Sequence, residues 1–272
     1  MNNNLRFELS FKNISQLENK LNFCKVNKIK NINIPCKGII KKDLFNLTFN
    51  YISKNFQDFN VTYHYSLYHQ YSGNKEKSFN DFLEFLENSY SKNKYEILLV
   101  SGSNKKKNFD VISVLNHLKR EENLKVKLGV AYNPYLRKYY NLSCERERYE
   151  KKISSGLIKS IWLQFGTDIK ELEREVSYIK NNIKDEKLYL YGSLLIPSKQ
   201  FVSRFKFRPW REVYISERYL SSLVDFYSFT SDLVCFYKEN DITPVIETEF
   251  CSSDKLDFIY SFYMNRNKIF IT

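Results

Sequence analysis

The sequence predicts a single (β/α)8 barrel over residues 1–272, and three observations carry that prediction. Strand-like and helix-like segments alternate along the whole chain, which is typical of parallel strands joined by helices. The length of 272 residues and the 43% of hydrophobic residues suit one large core. The 7 glycines and 5 prolines disfavour an all-β architecture. We predict eight strands, at residues 5–11, 31–35, 60–67, 95–101, 125–132, 160–166, 187–196 and 242–250.

The connections between these strands have the periodicity of amphipathic helices. Apolar residues recur at spacings of three and four, as in Ile14, Leu17 and Leu21, and again from Ile169 to Ile179. Asp168 and Glu171 have the spacing of an N-terminal capping pair. A helix is predicted around Leu220–Phe236 in the last long connection. An open doubly wound sheet is the alternative fold, but no Gly-x-Gly-x-x-Gly follows the first strand.

Composition restricts the classes of function. The formal charge of +12 is compatible with nucleic acid, anionic membranes or polyanionic small molecules. The longest basic run is only Lys105–Lys107, and no nucleic-acid-binding motif is present, so a nucleic-acid-binding protein is kept as a rival class that we do not favour. A sugar-phosphate barrel enzyme is a weaker rival, because residues 192–203 contain only Gly192 for a phosphate loop.

Cysteine and hydropathy patterns bear on the compartment. The five cysteines form no Cys-x-x-Cys pair and the three histidines have no ligand-like spacing, so we expect no metal site. No signal peptide or membrane-spanning run is visible at the sequence level. We therefore expect a cytoplasmic protein that does not engage a membrane, and homo-oligomerisation stays open.

Polar residues on four predicted strands face away from the apolar side of each strand. Leu5, Phe7, Leu9 and Phe11 form one face of the first strand, which leaves Glu8 on the other. The same alternation places His64, Gln164 and the pair Glu247 and Glu249 on interior faces. Barrel enzymes build their sites at the carboxyl ends of strands, and interior polar groups are costly unless paired or used. Glu8 and Arg6 pairing with each other, or His64 as a satisfied core histidine, are the structural alternatives.

The order of motifs resembles the methylenetetrahydrofolate reductase family. The similar segments, in chain order, are Phe7-Glu8-Leu9-Ser10-Phe11, His64-Tyr65-Ser66, Val130-Ala131-Tyr132-Asn133-Pro134, Leu163-Gln164-Phe165, Leu194-Leu195-Ile196-Pro197 and Pro209-Trp210. This resemblance implies a (β/α)8 flavoprotein that binds FAD and reduces methylenetetrahydrofolate to methyltetrahydrofolate with NADH or NADPH. It also implies a folate as the substrate partner.

The same resemblance implies roles for individual residues. Glu8 would be the general acid, and Gln164 would hydrogen-bond the pterin or the nicotinamide, with Tyr214 as a further substrate contact. The residues implied to bind the cofactor are His64, Ser101, Gly102, Ser103, Tyr132, Glu145, Arg148, Lys151 and Lys152.

Several segments depart from the family pattern, including the double proline missing after the first strand, Asn104–Lys107 and Tyr135–Lys138, and the segment after the fourth strand bears directly on the flavin. Ser101-Gly102-Ser103 stands where the family has an Arg-Gly-Asp-like motif, so both charges near the flavin are replaced. Three interpretations follow. FAD binds with compensation from Lys105–Lys107 or Arg137; hydride passes directly from the nicotinamide without a flavin; or the barrel binds folate or a protein partner without catalysis.

Overall fold

The computed structural model closes eight parallel strands into a barrel in the order β1 to β8, which confirms the predicted (β/α)8 fold. The strands are β1 Arg6–Glu8, β2 Asn31–Ile34, β3 Asn60–Ser66, β4 Glu96–Val100, β5 Lys127–Tyr132, β6 Ile158–Leu163, β7 Tyr189–Leu195 and β8 Ile242–Glu247. The structure describes residues 5–37, 40, 42–90, 95–102, 109–119, 127–138, 143–182, 188–196, 199–210, 212–248 and 253–269.

Helices surround the barrel. They are α1 Ile14–Val26, α2 Lys42–Asn55, α3 Lys75–Tyr90, α4 Val111–Leu118, α5 Ser143–Ile153, α6 Ile169–Asn182, α7 Lys199–Phe207, α8 Glu217–Ser221, α9 Leu223–Glu239 and α10 Ser253–Ile269. Among the described helices, none combines the length and apolar character needed to cross a membrane.

Side-chain alternation divides each strand between two environments. Phe7 points outward, where its ring lies 6.2 Å from the rings of Phe23 in α1 and Tyr260 in α10. Its neighbours Arg6 and Glu8 point inward, and both are buried. The main apolar core therefore lies between strands and helices, while the barrel interior contains charged and polar groups.

Several predicted elements differ in extent, among them β6, which spans Ile158–Leu163 rather than residues 160–166. The pairing of β1 ends at Glu8 rather than at Phe11, although the amide of Leu9 still donates to the Asn33 carbonyl at 2.9 Å. The predicted helix around Leu220–Phe236 consists of α8 and α9, separated by Ser222. Ser222 is extended, with φ −144°, and its hydroxyl accepts from the Asp225 amide to cap α9.

The predicted cap of α6 is confirmed. The Asp168 carboxylate accepts a hydrogen bond from the Glu171 amide at 3.0 Å. A carboxylate at this place satisfies a free amide of the first helical turn and interacts favourably with the helix dipole. The helix is thereby anchored directly after β6, whose carboxyl end carries Gln164.

Candidate functional site

Two carboxylates meet at the carboxyl end of the barrel. Glu8 is the last residue of β1, and Glu247 is the last residue of β8. The two strands are neighbours, and their register pairs these residues directly. Side chains in register on the same face of adjacent strands lie close together, so the fold forces the two acidic groups into one small volume. The predicted interior placement of both residues is confirmed.

A lysine bridges the two carboxylates. Lys37, three residues beyond the end of β2, contacts Glu8 Oε1 with its Nζ, and the same Nζ lies 3.7 Å from Glu247 Oε2. The lysine side chain is 49% exposed, whereas the Glu8 side chain is 6% exposed. A cation in contact with a buried carboxylate offsets part of the free-energy cost of removing that carboxylate from water. Sequence analysis did not identify Lys37, because a loop lysine in a lysine-rich chain has no distinguishing pattern.

Glu247 is the more exposed member of this pair, with a side chain that is 20% exposed. Its Oε1 accepts a hydrogen bond from the Ser193 hydroxyl, which lies on β7. Burial raises the pKa of Glu247, and the neighbouring charge of Glu8 raises it further, against the opposing effects of Lys37 and Ser193. A raised pKa favours the protonated form, so Glu247 is the carboxyl group of this cluster that is suited to hold a proton.

His64 extends the cluster toward the barrel axis. Its Nδ1 lies 3.7 Å from Glu8 Oε2, and its Nε2 lies 2.9 Å from the side-chain nitrogen of Asn33. Burial lowers the pKa of His64 to about 3, with the charge of Lys37 as the next contribution. The imidazole is therefore neutral at physiological pH, and one ring nitrogen is a donor while the other is an acceptor.

The tautomer of His64 follows from a residue deeper in the barrel. Arg6 Nε donates to Asn33 Oδ1 at 2.8 Å, and a guanidinium can only donate. The Asn33 oxygen therefore faces Arg6, and its amide nitrogen faces His64 Nε2 as a donor. His64 Nε2 must then accept, which leaves the imidazole proton on Nδ1, directed toward Glu8. Sequence analysis missed Asn33, although its inward face follows from the alternation along β2.

Gln164 directly follows β6, and it contacts a group outside the Glu8 cluster. Its side-chain amide donates to the Glu212 carbonyl at 3.4 Å, and that carbonyl also accepts from Asn133 at 2.9 Å. The predicted substrate residue Tyr214 lies in the same segment, and its carbonyl accepts from the Thr167 amide at 3.0 Å. These contacts join the loop after β6, which contains Gln164 and Thr167, to the segment between α7 and α8, which contains Glu212 and Tyr214. The roles assigned to Gln164 and Tyr214 stay predictions.

Four of the predicted cofactor residues belong to helix α5. Lys152 is buried and donates to the Ala131 carbonyl at 2.7 Å, and Glu145 accepts from the Asn133 amide at 3.3 Å. Arg148 lies 3.7 Å from Glu145, while Lys151 is exposed. Burial lowers the pKa of Lys152, and Glu145 opposes that effect. Lys152 and Glu145 therefore fasten α5 to the end of β5, and the structure does not bring them to Glu8.

The remaining predicted cofactor residues occupy two places. Tyr132 points away from the interior, and its hydroxyl donates to Glu175, which also pairs with Arg146 at 2.9 Å. Ser101 and Gly102 follow β4 at the carboxyl end. Gly102 has φ +82°, and a Cβ there would lie 2.4 Å from the Tyr68 Cβ, so both the backbone and the space require glycine. Ser103, Lys105–Lys107, Pro197 and Glu249 lie outside the described residues.

Comparison with known proteins identifies the fold. No family model and no curated protein sequence matches this chain. An uncharacterised protein from Clostridium thermocellum that binds two copies of 5-methyl-5,6,7,8-tetrahydrofolic acid has a similar structure, with a TM-score of 0.63 and 13% identity over 98% of this chain and 95% of that one. The catalytic domain of a hyperthermophilic chitinase from Pyrococcus furiosus has a TM-score of 0.52 and 10% identity over 90% and 83% of the two chains. At these identities the similarity shows a shared barrel fold.

Proposed function

We propose that this protein binds a reduced folate at the carboxyl end of the barrel and acts on it as an oxidoreductase of the methylenetetrahydrofolate reductase type. The cluster of Glu8, Lys37, His64 and Glu247 is the observation that carries the proposal. It lies at the end of the barrel where enzymes of this fold place their sites. The methyltetrahydrofolate-binding Clostridium protein, which is similar along nearly its whole length, supports a folate as the ligand class.

The chemistry of a reduced folate suits these side chains. Its methylene bridge ends on N10, a basic nitrogen to which a neighbouring carboxyl group can supply a proton. Glu8 Oε1 is engaged by Lys37, whose half-exposed side chain can move aside without disturbing the barrel wall. Folates also carry a glutamate tail, and a chain with a formal charge of +12 attracts such anions.

The carboxylate pair supplies the acid that folate reduction needs. Opening of the methylene bridge breaks a bond from the methylene carbon to N10, and N10 takes a proton. The iminium carbon on N5 then takes a hydride that originates from NADH or NADPH, which gives the methyl group. Glu247, whose pKa is raised by burial, holds that proton, and Glu8 lies in register beside it to receive or return it.

FAD is the cofactor that the resemblance implies. Of its predicted binding residues, His64, Ser101 and Gly102 lie toward the carboxyl end of the barrel. Tyr132 is bonded to Glu175 behind the barrel wall, and Lys152 is bonded to the Ala131 carbonyl. The described residues therefore do not form one common surface for a dinucleotide. FAD stays a prediction, and direct hydride transfer from the nicotinamide is the alternative.

A calorimetric titration with 5-methyltetrahydrofolate tests the binding proposal. We expect saturable binding by the wild-type protein and about tenfold weaker binding by Glu8→Gln and by Glu247→Gln. Glu87→Gln, at an exposed position of α3, is the matched control and should bind as the wild type does. Absence of folate binding would overturn the proposal. Binding of a chito-oligosaccharide in its place would assign the barrel to carbohydrate chemistry instead.

The absorption spectrum and a coupled assay test the reductase activity. A flavin band that bleaches with NAD(P)H and returns on addition of methylenetetrahydrofolate would establish the flavin-dependent reaction. Glu8→Gln should abolish folate reduction and leave flavin reduction by NAD(P)H largely intact. NAD(P)H oxidation without a flavin would support direct transfer, and folate binding without any oxidation would leave a binding protein.

A further inference from the structure

A cavity opens at the end of the barrel opposite to the Glu8 cluster. Its volume is about 310 Å³, and its lining includes Arg6, Glu96, Lys159, Tyr189 and Tyr191. Glu96 and Tyr189 are the first residues of β4 and β7, and Arg6 is the first of β1, so the cavity lies at the amino ends of the strands. A volume near 300 Å³ is at the lower end of the range for small-molecule sites.

This end of a (β/α)8 barrel is normally filled by layers of branched apolar side chains. Here a guanidinium occupies it. Arg6 is 6% exposed, and its Nη2 donates to Thr62 Oγ1 at 2.6 Å and to the Ile32 carbonyl at 3.0 Å. Burial of a full charge in a place that apolar residues could fill costs free energy, so its retention indicates a use.

The charges around the cavity have both signs. Arg6 and Lys159 are cationic, and Glu96 is the carboxylate that faces them. Glu96 is held in place by two hydroxyl donors, Thr62 at 3.3 Å and Ser160. A ligand with one anionic and one cationic group therefore complements the cavity, whereas a simple anion or a simple cation would meet a like charge.

An aromatic surface completes the lining. The Tyr191 ring is stacked on Trp162 with centroids 4.0 Å apart, and Arg6 lies 5.4 Å from the Tyr191 centroid. Trp162 is itself fixed by a hydrogen bond from Nε1 to Ser160 at 2.8 Å. Tyr189, which is 49% exposed, lies two positions before Tyr191 on β7 and extends this aromatic surface toward solvent. Such a surface suits an apolar or aromatic group on the ligand.

We propose that this cavity binds a free α-amino acid with an apolar or aromatic side chain. The ligand carboxylate lies against Arg6 and Lys159, the ammonium lies against Glu96, and the side chain packs on Tyr191. The site is separate from the folate proposal, because it opens at the other end of the barrel and shares no residue with the Glu8 cluster.

Thermal-shift and calorimetric measurements with the common L-α-amino acids test this site. We expect at least one apolar or aromatic member to bind and to raise the melting temperature. If L-phenylalanine binds, L-phenylalaninamide, which lacks the carboxylate, and 3-phenylpropanoate, which lacks the ammonium, should each bind about tenfold more weakly. Failure of every amino acid, or equal binding by a probe with one charge removed, would overturn the proposal.

Substitutions locate the binding. Glu96→Gln and Lys159→Gln should each weaken amino-acid binding about tenfold, while Lys170→Gln at an exposed position of α6 should have no effect. Lys159→Gln alters a partly exposed side chain, so it tests the site even if Glu96→Gln unfolds the barrel. Glu8→Gln should leave amino-acid binding unchanged, and equal loss in that variant would place the ligand at the carboxyl end and overturn the assignment.

Discussion

The two ends of the barrel interior have opposite electrostatic character. At the carboxyl end, two carboxylates, Glu8 and Glu247, share one half-exposed lysine. At the amino end, a buried guanidinium, Arg6, lies near a single carboxylate, Glu96. Burial raises the pKa of Glu247 in the first arrangement, whereas the second holds a fixed charge, because an arginine stays protonated. One barrel thus offers an acidic site and a cationic site a few strand residues apart.

Asn33 connects these two ends. It accepts from Arg6 at 2.8 Å and donates to His64 at 2.9 Å, so the fixed cation sets the orientation of the neutral imidazole beside Glu8. A polar chain through a barrel is stable only when each member is satisfied. A substitution of Arg6 therefore removes the contact that orients Asn33 beside His64. A substitution of His64 leaves Arg6 with its acceptors on Asn33, Ile32 and Thr62.

Arg6→Met should have the largest effect on stability. It leaves Asn33 Oδ1, the Ile32 carbonyl and Thr62 without their common donor inside the barrel. Removing one member of a buried charged network costs about 3–5 kcal/mol of unfolding free energy. Urea denaturation followed by circular dichroism measures it. Arg218→Met, at a side chain that is 82% exposed, is the control and should unfold like the wild type. A loss below about 1 kcal/mol would show that the network is not stabilising.

The inward placement of Glu8 and His64 could be predicted from the sequence, whereas the contact of Lys37 with Glu8 could not. Strict alternation in β1 and β3 placed Glu8 and His64 inside, since period two leaves no other face for them. Lys37 lies in a loop, where no periodicity applies. The family motif predicts Tyr132 as a cofactor residue, yet alternation along β5 directs its side chain outward. Gly129 faces Trp162 in the barrel interior. Ala131, two positions later, therefore also faces inward, and the next residue, Tyr132, faces the helices. Residues that are far apart in the sequence and contact each other only in the folded chain, such as Tyr132 and Glu175, leave no local sequence pattern.

Acidification should destabilise the protein through His64. Its folded pKa, about 3, lies below the ordinary value of 6.5. Between these values the unfolded chain binds a proton that the folded chain does not, so stability is full above about pH 6.5 and falls as the pH drops toward 3. The slope for one proton is about 1.4 kcal/mol per pH unit. Urea midpoints measured across this range should show it. His64→Gln should remove that slope, and His117→Gln, at an exposed position, should keep it.

Tyr132→Phe separates a structural role from a cofactor role. The hydroxyl donates to Glu175, and hydrogen bonds to charged groups contribute about 1.5–3 kcal/mol. We expect a loss of that size in unfolding free energy with unchanged folate affinity, because the ring lies between β5 and the helices. Weaker folate or flavin binding without a loss of stability would instead support the role implied by the family resemblance.

Lys37→Met should change the titration of the acidic pair. Lys37 opposes the rise in the pKa of Glu247, so without this cation the folded pKa of Glu247 lies further above the unfolded value. The variant should therefore lose stability at neutral pH and regain it as the pH falls through the raised pKa, because the folded state then binds the extra proton. Carboxyl carbon NMR shifts of glutamate-labelled protein measure that pKa. Lys170→Met is the exposed control.

Gln164→Ala should have the smallest effect on stability. Its side-chain amide makes one long contact, 3.4 Å, to the Glu212 carbonyl, and that carbonyl keeps its bond from Asn133 at 2.9 Å. The loss in unfolding free energy should therefore stay below about 1 kcal/mol. Folate or nicotinamide affinity should fall about fivefold if Gln164 reaches the ligand, since one hydrogen bond of about 1 kcal/mol corresponds to that factor. Calorimetric titration measures the affinity, with Glu87→Gln as the control, and urea denaturation measures the unfolding free energy. Unchanged affinity would remove Gln164 from the site and confine the site to the Glu8 cluster.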